Sequence, residues 1–292
     1  MKLGALAIAG LASSIANAAP PQIVAIAGAP ATALVIDSAG AVYAPDGKGA
    51  WIARSDGAVA GDVVAAAHTG DAIFVGVANA PPFELLPHGG WSVMNLGLHA
   101  VAMLGRGERT VAAVGRGVFA LERGKATKLA EAATPVELVG ASAKAITVQT
   151  DRGLARWDGT KWTPLAKSPH RVDALLDATW ALVNAGVIDL DTGKLVAWPL
   201  GFHVQAALAD GETVYAASAR ELITLAHGAF TREPLPALAS PIAGLVADRG
   251  GRIAIATRGG QLARRVAGAW TVVELRSEPA VAHAGSPPAE SK

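Results

Sequence analysis

Gly153-Leu154-Ala155-Arg156-Trp157-Asp158-Gly159-Thr160-Lys161-Trp162-Thr163-Pro164-Leu165 reads as two short strands joined by a tight turn. An Asp-Gly pair between apolar and aromatic runs is a strong hairpin signal, because a type I′ turn needs positive φ at both central residues. The turn glycine recurs. Gly47, Gly89, Gly124, Gly159, Gly193, Gly228 and Gly268 stand 34–42 residues apart. An aromatic follows soon after at Trp51, Trp91, Trp162, Trp198, Phe230 and Trp270, whereas the third repeat has Lys125-Ala126-Thr127 there.

Working outward, each turn belongs to a longer unit. A short apolar strand begins near Val24, Val64, Val101, Val136, Val172, Val204 and Ile242. After a polar turn comes a second strand richer in β-branched residues, such as Thr110–Val114, Ala145–Val148, Trp180–Val183, Val214–Ala217 and Ile253–Ala256. A third strand follows a tight turn, as in Gly117–Leu121 and Gly186–Leu190, and the fourth is shorter and more polar. Strands of this composition, spaced by turn residues, predict an all-β protein. A period of about 37 residues marks one supersecondary unit copied along the chain.

A four-stranded antiparallel meander cannot bury both its faces alone, but seven set radially can. The first two strands are rich in small residues, for example Ala65-Ala66-Ala67 and Ala216-Ala217, which suits sheets converging on an axis. The tryptophans of the fourth strand suit the wider gap outside, as packing groups rather than ligand platforms. The expected fold is therefore a seven-bladed β-propeller of four-stranded antiparallel blades over residues 19–276. Six or eight blades, and an N-terminal strand completing the last blade, are the variants. Pro81-Pro82 should demote the third strand of blade two to an edge or a bulge.

Residues 153–165 resemble a blade of the two-component-regulator propeller repeats, with their G-L-x-x-x-D-G-x-x-W core. Over residues 22–276 the chain resembles the seven-bladed propellers of the WD-repeat-like and YVTN-like superfamily. Trp157-Asp158 lacks the Gly-His partner of a true WD repeat, and the sialidase-type Asp-box is absent. Asp189–Trp198 is similar to the tryptophan-docking repeat of quinoprotein propellers, but has one residue too many and occurs once. The resemblance implies binding and scaffolding roles, with scattered enzymes.

The remaining composition bounds the role. Lys2, the apolar run Leu3–Ala12 and Ala16-Asn17-Ala18 read as a secretory signal peptide over residues 1–18. This places the protein in the periplasm or outside the cell. There is no cysteine, hence no disulfide, no thiolate metal site and no lipid anchor on a cysteine. Charge is balanced, 25 Lys+Arg against 24 Asp+Glu, which argues against a nucleic-acid partner. Hydrophobic residues make up 51% of the chain but are spread over short segments, so no membrane span is expected after the leader. Residues 277–292, SEPAVAHAGSPPAESK, read as a disordered tail.

In a propeller the connections into the innermost strands and the turns between second and third strands share one face. Asp62, His99, His170 and His203 fall in the first set, and Arg116, Arg152, Arg220 and Arg258 in the second. Arg offers a planar fork for carboxylate or phosphate, and His a donor, an acceptor or a metal ligand. The expectation is a monomer whose basic face binds a small anionic ligand or an acidic protein segment, without a cofactor. The alternative is a metal-dependent lyase or lactonase-like enzyme. On this scaffold such enzymes hold a divalent metal near the axis, and Asp62, Asn79 and Asn184, with His99, His170 and His203, are the candidates here. An extracytoplasmic sensor module is a third option. His68, His88 and His227 are expected in turns away from this face.

Overall fold

A computed structural model describes residues 22–45, 51–55, 59, 61–69, 72–96, 103–104, 109–165, 170–248 and 250–274. Seven sheets of four antiparallel strands follow one another, each a meander in strict chain order. The blades occupy residues 23–53, 63–93, 103–131, 136–164, 172–197, 206–234 and 242–274. Among the described residues no strand is exchanged between the ends: the last blade takes all four of its strands from consecutive sequence.

Burial follows radius. The second strands Ala72–Val77, Val111–Val114 and Ile253–Thr257 are buried along their whole length. Both faces of these strands are covered by neighbouring blades, which is why they read as unbroken apolar runs. The fourth strands alternate or are exposed. They are not uniformly short, as expected from sequence: Lys125–Glu131, Ala229–Pro234 and Ala269–Glu274 match their partners in length. The aromatics fill the outer gaps. Trp91, Trp162, Trp198, Phe230 and Trp270 are half-buried against apolar clusters. The Trp162 indole also donates to the Glu131 carbonyl of blade 3 at 2.9 Å, and that of Trp270 to Glu233 of blade 6 at 2.6 Å.

The ring closes by packing. Ile23, Ile26, Ala33 and Val35 of the first blade share one core with Ala254, Ala256 and Leu262 of the seventh. One backbone bond, from Ile23 N–H to the Arg258 carbonyl at 3.0 Å, ties the two ends. Backbone bonds of the same kind tie blade 2 to blade 1, from Val63 N–H to the Ser38 carbonyl at 3.4 Å, and blade 4 to blade 3, from Val136 N–H to the Gly115 carbonyl at 2.9 Å, and side chains add further ties. Thr69 Oγ1 donates to Thr110 Oγ1 at 2.7 Å, and Thr147 Oγ1 donates to the Ala178 carbonyl at 2.6 Å. Ile242 N–H donates to Gln205 Oε1 at 2.8 Å.

The turn glycines behave as the periodicity requires. Gly89, Gly124, Gly159, Gly193, Gly228 and Gly268 all have positive φ, while Gly47 lies outside the described residues. The type I′ geometry appears elsewhere than expected. Positive φ at both central positions occurs in His227-Gly228 (51° and 75°) and Ala267-Gly268 (50° and 81°). Asp158-Gly159 instead begins a four-residue loop between the paired Trp157 and Trp162. Asp158 Oδ1 accepts from Thr160 N–H, Thr160 Oγ1 and Lys161 N–H. Those bonds, to Lys161 first, pull its carboxyl down to about 2. In blade 2 the prolines precede the third strand, Phe83–Leu85, which pairs on both sides and is short rather than an edge.

Candidate functional site

An antiparallel meander puts the start of its first strand, the turn between its second and third, and the end of its fourth on one side. All candidate basic residues that the structure describes therefore share one face, here called the site face. Asp62 immediately precedes its innermost strand, and Asn79 and Asn184 fall in turns between second and third strands. His99 lies outside the described residues.

The face does not gather its cations into one ring. Arg116 is engaged within its own blade: Nε donates to the Ala132 carbonyl at 3.0 Å, and an amino group pairs with Glu131 at 3.1 Å. Glu131 is held below the usual carboxylate range by Lys128 first and by Arg116. Arg220, Arg258 and His203 are exposed, each on a different connection. Arg152 and His170 do come together. With Arg171 they line a groove of about 600 Å³ between blades 4 and 5.

A repeated backbone irregularity shapes the inner end of this groove. In blades 1, 2, 4, 5 and 7 the innermost strand slips register after its first residue. The second residue, unpaired, is Val24, Val64, Glu137, Asp173 or Ala243. Such a bulge places two residues opposite one and bends the strand. It is apolar in blades 7, 1 and 2 and a carboxylate in blades 4 and 5. Both carboxylates, Glu137 and Asp173, are exposed and line the groove. Their signal was legible: a lone carboxylate in second place of an apolar strand, in Val136-Glu137-Leu138 and Val172-Asp173-Ala174.

The groove thus holds charges of both signs that do not neutralise one another. The side chains of Arg152, Arg171, Glu137 and Asp173 make no ion pair among the described residues. Asp151 at its edge accepts from Thr134 Oγ1.

A second groove, about 570 Å³, opens on the opposite face across blades 4, 5 and 6, and its charges are more committed. Asp191 pairs with Arg156 of blade 4. Asp177, buried, accepts at Oδ1 from Thr179 N–H at 2.6 Å and Trp180 N–H at 2.7 Å. Burial pushes its carboxyl up despite those bonds.

A narrow cavity of about 150 Å³ lies along the axis, with His68 and Asp210 on its wall. His68 is not in a turn, as expected from sequence, but in the innermost strand Val63–Thr69. Its Nδ1 accepts from Gly28 N–H at 3.0 Å, and burial lowers its pKa. A neutral imidazole with its proton on Nε2 follows.

No family model matches the sequence, and no curated protein matches it closely enough to count as a relative. Solved structures do match. YCF48 from Cyanidioschyzon merolae is 16% identical, with 84% of this chain and 96% of that one covered, at a TM-score of 0.57. A second YCF48 structure, bound to D1 peptide, covers 85% and 94% at 14% identity and a TM-score of 0.60. The WD40 propeller domain of Doa1 is 12% identical over 82% of this chain and 90% of that one, TM-score 0.58. PorZ, an essential surface component of the type-IX secretion system of Porphyromonas gingivalis, is 14% identical over 88% of this chain and 38% of its own, TM-score 0.59. At these identities the likeness is one of fold. The chain is a seven-bladed β-propeller.

Proposed function

We propose that this propeller is a non-catalytic interaction platform that captures a segment of a partner protein on the site face. The groove between blades 4 and 5 is its docking site. The observation that carries the reading is the set of uncompensated charges in that groove. Guanidiniums and carboxylates line one concavity here without pairing with one another, which leaves both signs of charge open to a ligand. An anionic group of the partner meets Arg152 and Arg171, whose planar forks suit a carboxylate. The role requires no cofactor. The fold supports it, since propeller rims display many loops at fixed positions on a rigid ring. The peptide-bound state of YCF48 and the surface location of PorZ are consistent with it.

The leader-like residues 1–18 add that the platform works outside the cytoplasm. Intact mass of the protein from its native host tests that part. Cleavage after Ala18 is the expected result, and a retained leader contradicts it.

The docking site is tested by charge reversal on each face. Arg152→Glu with Arg171→Glu should abolish co-purification of partners from the native host, measured by quantitative mass spectrometry against wild type. Lys144→Glu with Lys194→Glu, on the opposite groove, should leave that set unchanged. An unchanged set in the first variant, with an intact fold by circular dichroism, overturns the reading.

A further inference from the structure

We infer that the groove between blades 4 and 5 recognises an extended segment carrying a basic residue and an acidic residue two positions apart. This rests on the proposed docking site and specifies its occupant. The sequence alone suggested a purely basic face and hence an anionic ligand. The bulged residues change that, because each blade flanking the groove contributes one carboxylate at the inner end.

The spacing of the charges comes from the blade. Glu137 and Asp173 are on innermost strands, in Val136–Ala141 and Val172–Leu175. Arg152 is in the turn between the second and third strands of blade 4, Ile146–Thr150 and Gly153–Trp157. The turn is centred one and a half strand spacings outward, about 7 Å at 4.7–4.9 Å per strand. Residues i and i+2 of an extended chain are also about 7 Å apart and point the same way. A lysine of such a segment can therefore face Glu137 and Asp173 while the acidic residue two places away faces Arg152. Arg171, on the connection into blade 5, supports the acidic end. A segment bearing acids alone would set its inner charge against two carboxylates, and like charges at close range disfavour the complex.

The test uses three nine-residue synthetic peptides, blocked at both ends and otherwise Ser and Ala. One carries Lys-Ser-Glu-Ser-Lys, one Glu-Ser-Glu-Ser-Glu and one Lys-Ser-Lys-Ser-Lys, and binding to the full chain is followed by fluorescence anisotropy at low salt. The mixed peptide, which offers both chain directions, should bind about five- to tenfold more tightly than either of the others, the scale of two exposed charge pairs. Glu137→Lys with Asp173→Lys should reverse the order in favour of the all-acidic peptide. Equal or tighter binding of the all-acidic peptide to wild type overturns this inference but leaves the platform standing. So does binding of none of the three while Arg152→Glu with Arg171→Glu still abolishes partner capture. Binding of none, with capture unaffected by that pair, overturns both.

Discussion

Gly140 sets how closely blades 4 and 5 approach, and replacing it with alanine measures that contact. A Cβ there would lie 2.1 Å from the Asp177 carbonyl oxygen and 2.9 Å from Leu175 Cβ. An ordinary carbon–oxygen contact is about 3.3 Å or more, so the two blades must part by roughly 1 Å. The obstacle cannot swing aside. Asp177 is anchored through its side chain to Thr179 and Trp180, and the next carbonyl, Ala178, accepts from Thr147 Oγ1 at 2.6 Å and Arg156 at 2.8 Å. Overpacking alone costs about 1–3 kcal/mol. Weakening the two bonds to Ala178 brings the expected loss to about 3–5 kcal/mol. For a domain of this size that lowers Tm by on the order of 6–20 °C. Gly124→Ala is the control. Gly124 has φ +67° and no atom near its added Cβ, so only backbone strain acts, about 1–2 kcal/mol. Thermal unfolding followed by circular dichroism at pH 7 compares the two. Equal small losses would refute the claim that these blades are in hard contact.

Ile23 is fully buried where the first blade packs on the seventh, so Ile23→Ala should cost about 2–5 kcal/mol in urea unfolding. A loss below 1 kcal/mol would mean that closure does not depend on this packing. His68 has a folded pKa lowered by burial from 6.5. The stability it contributes is present above pH 6.5 and is lost as pH falls through the folded value, with a slope of at most about 1.4 kcal/mol per pH unit. His68→Gln should flatten Tm against pH below 6.5, and an unchanged profile would count against the half-buried neutral imidazole. Asp177→Asn keeps an oxygen acceptor for Thr179 and Trp180 while removing a buried charge. It should match or exceed wild-type stability at pH 7, with the difference vanishing as pH falls toward 3.8. Asp177→Ala should lose about 1–3 kcal/mol, because two backbone donors are left without their partner.

Much of the fold was legible because a propeller repeats local chemistry. The turn glycines at 34–42-residue steps need positive φ, and six of them have it. The tryptophans fill outer gaps because the sheets diverge there. What failed locally failed for a physical reason. Asp158-Gly159 looked like a two-residue turn, but the Asp158 carboxylate drew in three donors and stabilised a longer loop, while His227-Gly228 and Ala267-Gly268 took the type I′ form. The site was less legible because pairing is tertiary. Nothing in Gly115-Arg116-Gly117 shows that Glu131, on the fourth strand of the same blade, meets Arg116. Nor does the spacing of arginines reveal that Glu137 and Asp173 share a groove with Arg152, since that follows from a bulge and from two blades meeting.

The groove itself is tested most directly by site-specific photocrosslinking in the native host. A benzophenone side chain at position 151 lies in the groove between blades 4 and 5, and one at position 212 lies in the groove on the opposite face. The account predicts partner adducts from position 151 and none from position 212. Adducts from position 212 alone, or equally from both, would contradict it.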